Sequence, residues 1–235
     1  MKLFHIEKHE SGLGAYIKDI IYAANDGIIT TFAVVAGVAG ASLSITTILI
    51  LGFANLLADG FSMAVSNYMG SRSESARAKK EKKREEREIL EKPEEERHEV
   101  MDVLCARGYS MEDAEAMTAY IMKNDKFWVD FMMRYELGID SGGTSDKRAA
   151  LYTFVAFVTA GSLPLLPFIL LYGTMDNLFF ISALATAIAF FVVGALRVRV
   201  TKKNWFISGL EMLVVGGTAA AIAYGIGYGI SAIIN

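Results

Sequence analysis

Five stretches of this chain are each long and apolar enough to cross a bilayer as a helix, and nothing else in the sequence narrows the fold as far. They run from about Ile20 to Ala41, Ile45 to Gly70, Ala149 to Tyr172, Leu178 to Leu196 and Trp205 to Ile234. A hydrocarbon core of about 30 Å is crossed by roughly 20 helical residues. In that medium every backbone N–H and C=O must be paired within the protein, which leaves helices or closed barrels. Runs this long, with no strict alternation of apolar and polar residues, read as helices. The expected class is therefore all-α: a polytopic membrane protein with five transmembrane helices. Pro164 and Pro167 are expected to kink the third span, a defect that neighbouring helices can absorb.

Overall composition hides this pattern. The chain is 53% hydrophobic and 21% charged, close to the approximate averages for a soluble domain. The charge is segregated, however: of 49 Asp, Glu, Lys and Arg residues, 35 fall between Gly70 and Arg148. The expected organisation is residues 1–70 (N-terminal segment and spans one and two), a soluble helical insert over 71–147, and residues 148–235 (spans three to five). The first apolar stretch is too long for a signal h-region and lacks a cleavage site, so it should remain in the mature protein. A net charge of −3 gives no basis for nucleic-acid binding. The single Cys105 excludes an intramolecular disulfide and a Cys-rich zinc site, and reads as a small buried apolar residue.

Basic residues set the orientation. Lys2, Lys8 and Lys18 precede span one, the insert carries fifteen Lys and Arg, and Arg197, Arg199, Lys202 and Lys203 follow span four. The turn at Ser42–Ser44, the loop 173–177 and the tail 231–235 carry none. With five spans these alternate, which places the N-terminus and the insert in the cytosol and the C-terminus on the luminal or extracellular side.

The insert itself reads as helices. Glu74 to Leu90 is rich in helix formers and should continue span two. Pro93 suits the first turn of a new helix, with Glu94, Glu95 and Glu96 favoured by its dipole. Gly108 marks its end, Ser110 and Asp113 resemble a capping pair for the next helix, and a last helix covers about Asp125 to Leu137. Gly142 and Gly143 form a loop before span three. Together these make a small three-helix bundle.

Ionisable residues at membrane depth cost at least about 2.5–3.5 kcal/mol on insertion scales and mark functional sites by default. Asp26 lies in span one and Asp59 in span two. Asn55, Asp59, Met63 and Asn67 are spaced four apart, as are Tyr22, Asp26 and Thr30, so each set shares a helical face. A site for Na⁺ or Ca²⁺ calls for hard oxygen ligands, whereas thioether beside carboxylate suits a softer first-row transition metal. The plainer reading is that Met63 packs and the Asp residues bond neighbouring helices. In the insert, Glu81, Glu85 and Glu88 share one face, as do Glu96 and Glu99, and Met132 and Met133 lie one turn from Glu136. Carboxylates converging between helices can hold divalent metal, although a charged run is more often a solvated face. Glu95 and His98 match half of a ferritin-type site, but the remaining histidines are His5 and His9. Gly217, Ala221, Gly225 and Gly229 form a small-residue stripe expected to pack against another helix.

Three segments carry a family resemblance: Asp19 to Gly37, Asn55 to Glu74, and the run Phe131-Met-Met-Arg-Tyr-Glu-Leu-Gly138. In this order, with five spans and an insert between the second and third, the chain resembles the vacuolar iron transporter (VIT) family. The resemblance implies a homodimer in the lipid bilayer whose pore lies between subunits and is lined by spans one and two. It implies export of Fe²⁺, and of Mn²⁺, from the cytosol in exchange for protons, across a vacuolar membrane in a eukaryote or the plasma membrane in a prokaryote, with no cofactor. Asp26 and Met63 match its pore ligands. Glu85, Glu88, Glu96, Glu99, Met132 and Glu136 match metal ligands of its cytosolic domain, with Glu86 and Glu95 as alternatives in the Glu-rich run. Asn55 stands where some members carry Glu. Asn cannot titrate, which leaves Asp59 as the candidate proton-coupling group. Two other readings are a membrane-anchored metal sensor or store, which needs no polar stripe in its spans, and a ferroxidase, for which histidines are lacking.

Overall fold

The computed structural model describes residues 13–139, 146–173, 175, 177–198 and 204–234. The terminal His5, His9, Lys2 and Lys8, the loop glycines Gly142 and Gly143, and the basic Arg199, Lys202 and Lys203 lie outside the described residues. A 3₁₀ turn (Leu13–Tyr16) leads into α1 (Ile17–Gly40), followed by α2 (Ile45–Glu91), α3 (Pro93–Ala106), α4 (Met111–Ile121) and α5 (Asp125–Tyr135). Then come α6 (Asp146–Gly161), a 3₁₀ turn (Leu163–Leu165), α7 (Leu166–Leu170), α8 (Leu178–Leu196) and α9 (Trp205–Ile234). No strand occurs among the described residues. Among the described residues, five helical runs are long and apolar enough to cross a membrane.

The chain divides into two compact units, residues 1–68 with 144–235, and residues 69–143. They are called here the apolar and the charged unit. Helix α2 contributes residues 45–68 to the first and 69–91 to the second. Its 47 residues are more than twice the roughly 20 that cross a hydrocarbon core as a helix.

In the apolar unit α1 is the central helix and packs against α6, α8 and α9. Ala23, Val35, Ile48, Leu56, Phe157, Leu165 and Phe168 form the larger buried cluster, and Ile28, Phe190 and Met212 a smaller one. The third span runs from Asp146 to Leu170 and tightens to a 3₁₀ turn at its prolines, where the kink was expected. Helix α6 stops at Gly161, Pro164 sits in a 3₁₀ turn, and Pro167 opens the short α7. Proline removes an N–H and leaves a carbonyl unpaired within the helix. Ser182 Oγ on α8, fully buried, donates to Pro164 O at 2.6 Å and satisfies that carbonyl.

The small-residue stripe on α9 makes no close contact within this chain. A Cβ added at Gly217, Gly225 or Gly229 would meet nothing within 4 Å, whereas one at Gly209, Gly216 or Gly227 would collide with α8 or α1. The face of α9 that packs within this chain is therefore a different one.

In the charged unit Ile89, Val100, Leu104, Ala114, Ile121 and Trp128 build one core with Val129, Phe131, Met132 and Met133, against which Cys105 is partly buried. The helix ends follow local chemistry. Ser110 Oγ accepts from Asp113 N at 3.1 Å and Asn124 Oδ1 from Phe127 N at 3.0 Å, each pairing an N-terminal orphan donor. Gly108 and Gly138 end α3 and α5 at φ +97° and +64°, a conformation that glycine adopts without steric cost.

Candidate functional site

A cavity of about 480 Å³ lies within the apolar unit. Helix α1 lines it with Asp19, Tyr22 and Asp26, at i, i+3 and i+7. Helix α2 contributes Asp59, Ser62, Met63, Ser66 and Asn67, and α6 contributes Thr153. Asp26 and Asp59 stand close enough for their charges to interact. Met63 reaches the cavity while also packing on the apolar core, so the packing and lining readings hold together for that residue.

Helix α6 explains why the two aspartates meet. Each is followed by glycine, Asp26-Gly27 on α1 and Asp59-Gly60 on α2. A Cβ at Gly27 would sit 2.5 Å from the Phe157 carbonyl oxygen, and one at Gly60 would sit 3.1 Å from the Phe157 ring. Phe157 is fully buried. Both helices thus press a bare glycine backbone onto one residue of α6, and the neighbouring aspartates fall beside the same void. One turn earlier on α6, Thr153 Oγ1 accepts a 2.7 Å hydrogen bond from Asn67 Nδ2.

Two members of the anticipated stripes fall elsewhere. Asn55 is not among the cavity's lining residues. Thr30 donates to the Asp26 backbone carbonyl at 2.9 Å, a bond within its own helix. Conversely, Asp19, Ser62 and Ser66 line the cavity without having been anticipated. Their signal was spacing: Asp19 shares a face with Asp26, and Ser62 and Ser66 stand three and seven residues after Asp59.

In the charged unit the glutamates separate by burial. Glu85 and Glu96 are 4% and 5% exposed, and in each Oε2 is buried without a hydrogen-bond partner. Burial, reinforced for Glu85 by the charges of Glu136 and Glu96 and for Glu96 by those of Glu99 and Glu88, raises both carboxyls to about 7. Partial burial and then the charge of Glu99 also raise Glu136. Glu88, Glu99 and Glu136 therefore face the two buried groups electrostatically. Arg84 offsets part of this charge and binds Glu88 at 3.0 Å. Met132 is fully buried in the core of the unit. Among the described residues no three His, Cys, Asp or Glu side chains stand close enough together to hold a metal ion.

The alternatives in the Glu-rich run point outward. Glu86 is exposed, and Glu95 is exposed and paired with Lys92 at 2.7 Å. His98, also exposed, contacts the Glu94 carbonyl of its own helix through Nδ1 at 2.6 Å. Glu95 and His98 therefore do not form an inward-facing half-site.

Comparison with known proteins agrees with this architecture. The VIT family model matches residues 17–228. A vacuolar iron transporter of Toxoplasma gondii is 36% identical over 233 residues, covering 95% of this chain and 77% of the relative. Vacuolar iron transporter 1 of Arabidopsis thaliana is 33% identical over 221 residues, covering 94% and 88%. The vacuolar iron transporter of Plasmodium falciparum is 30% identical over 220 residues, covering 90% and 81%. With the family model and full-length relatives in accord, the chain belongs to the VIT family.

Proposed function

We propose that this protein is a transporter, not an enzyme, that moves divalent transition-metal ions, Fe²⁺ and also Mn²⁺, out of the cytosol in exchange for protons. The observation that carries the reading is the cavity bounded by Asp26, Asp59 and Met63 in helices long enough to cross a membrane. Carboxylate and thioether together suit a first-row transition metal better than Na⁺ or Ca²⁺, and the relatives named above are iron transporters.

In this reading Asp26 and Met63 hold the ion and Asp59 exchanges the proton, a role open to it because Asn55 cannot titrate. The protein acts as a homodimer in the lipid bilayer, its pore lying where the cavities of two copies meet. Tyr22, Leu57 and Phe61 on the cavity-forming helices are 66%, 52% and 65% exposed in the single chain, surface that a second copy would cover. The insert, residues 71–147, is a cytosolic metal-binding domain between the membrane segments 1–70 and 148–235, with the N-terminus cytosolic and the C-terminus luminal or extracellular. Glu85, Glu88, Glu96, Glu99 and Glu136 supply its oxygens and Met132 its thioether. The protein works at a vacuolar membrane in a eukaryote or the plasma membrane in a prokaryote.

Proteoliposomes test the proposal. Internal Fe²⁺ and Mn²⁺ should rise in vesicles holding the protein, faster with an opposing pH gradient, and not in vesicles holding Asp26→Ala. Flux through Asp26→Ala equal to wild type would reject the pore assignment.

A further inference from the structure

Asn67 and Thr153 line the cavity from helices 86 residues apart in sequence, joined by one hydrogen bond of 2.7 Å. Thr153 is 1% exposed, and β-branching limits its side chain to few rotamers. Its helix is anchored to α1 and α2 through Phe157, one turn away. Thr153 is therefore a fixed point, and the amide of Asn67 is held against it.

An amide carries its donor and acceptor edges on opposite sides. With the NH₂ edge held by α6, the carbonyl edge is left for the cavity. Asn67 stands four and eight residues after Met63 and Asp59, on the same face and about 6 and 12 Å along the axis. We infer that Asn67 is a neutral oxygen ligand for the transported divalent cation and that Thr153 is the residue that positions it. This deepens the transport reading and rests on it. It also makes α6 part of the site, beyond the two helices that carry the aspartates.

The chemistry favours a neutral donor here. Asp19, Asp26 and Asp59 already line the cavity, and no Lys or Arg lines it. A further carboxylate would add repulsion in the empty state, whereas an amide oxygen adds a hard ligand and no charge. A hard oxygen beside the Met63 thioether also broadens the set of first-row ions the cavity can hold.

Mn²⁺ uptake into proteoliposomes, with Mn²⁺ titrations of the full-length detergent-solubilised protein followed by EPR, tests this. Thr153→Val keeps the shape and removes the hydroxyl. It should raise the KM for Mn²⁺ about tenfold, the lower end of losses seen for groups that orient metal ligands, with kcat little changed. Thr153→Ser should restore the wild-type value. Asn67→Leu should match Thr153→Val, and Asn67→Asp, which keeps an oxygen, should bind Mn²⁺ at least as tightly as wild type. A Thr153→Val protein with wild-type KM, or a Thr153→Ser protein as impaired as Thr153→Val, would overturn the positioning role. Asn67→Asp as impaired as Asn67→Leu would show that the N–H edge faces the cavity. The Mn²⁺ signal lost in Asp26→Ala identifies the cavity-bound ion. Its affinity can therefore be followed even if wild type shows no flux, a result that would reject transport but not the ligand.

Discussion

Asp26 and Asp59 border a cavity of about 480 Å³, whereas Glu85 and Glu96 are almost wholly enclosed, each with one oxygen lacking a partner. The two units thus treat carboxylates differently. In the apolar unit a void beside the charges leaves room for water or an ion, and glycines at the helix crossings set the spacing. In the charged unit desolvation and mutual repulsion raise the carboxyls to about 7.

The largest effect expected from breaking this comparison is in transport. Asp26→Ala should abolish flux, because an ion leaving water loses its compensating charge, while metal binding by the charged unit, measured by calorimetry on the same full-length protein, should be unaffected. Asp59→Asn should leave flux measurable but insensitive to a pH gradient. Full sensitivity in that variant would remove Asp59 as the coupling group. Met63→Ala should reduce Fe²⁺ and Co²⁺ flux more than Mn²⁺ flux, since thioether prefers softer ions. Equal losses for all three would make Met63 a packing residue only.

Next in size is the pH response of the charged unit. Glu85 and Glu96 have folded values near 7 against an ordinary 4.5. Between these values the folded form holds protons that the unfolded chain releases. Their contribution is therefore fully present below about pH 4.5 and lost as pH rises through 7. Taken singly, a shift of this size corresponds to on the order of 3 kcal/mol. Trp128 lies in the core of this unit, and the chain has two tryptophans. In a Trp205→Phe background its fluorescence should report unfolding at lower denaturant at pH 8 than at pH 5 in metal-free protein. Glu85→Gln and Glu96→Gln should flatten that dependence, and Mn²⁺ should reverse it because deprotonated carboxylates bind the ion. A pH-independent midpoint would contradict the burial argument.

Met132 and Glu136 sharpen the contrast further. Glu136→Ala should weaken metal binding with little loss of stability. Met132 is fully buried, so Met132→Ala should first destabilise the unit, by about 2–5 kcal/mol, and should reduce affinity less than Glu136→Ala in protein that remains folded. The smallest expected effect is at the surface. Glu115→Ala breaks the 2.9 Å pair with Arg97, and an exposed pair of this kind contributes about 0–1 kcal/mol.

The helical class and five spans were legible because hydrophobic length is a local property. So was the Ser110–Asp113 cap, which needs only four consecutive residues. The bend after Gly161 was legible from its two prolines, whereas the Ser182 hydroxyl that pairs the Pro164 carbonyl was not, since it belongs to another helix. The Asp59, Met63 and Asn67 stripe could be read from four-residue spacing. Periodicity does not tell where a face ends, and Asn55 and Thr30, which share these faces, are not among the residues that line the cavity. Thr153 and Phe157 were not legible at all, because their part in the site rests on contacts across long separations in sequence.

Under the proposed function, the carboxylates of the cavity, and not those of the charged unit, carry the ion across the membrane. The most direct measurement compares Mn²⁺ flux into proteoliposomes for wild type, Asp26→Ala, and a protein with Glu85, Glu96 and Glu136 all replaced by Gln. Asp26→Ala should give no flux, and the triple variant a reduced but saturable flux. Flux retained in Asp26→Ala and abolished in the triple variant would contradict it.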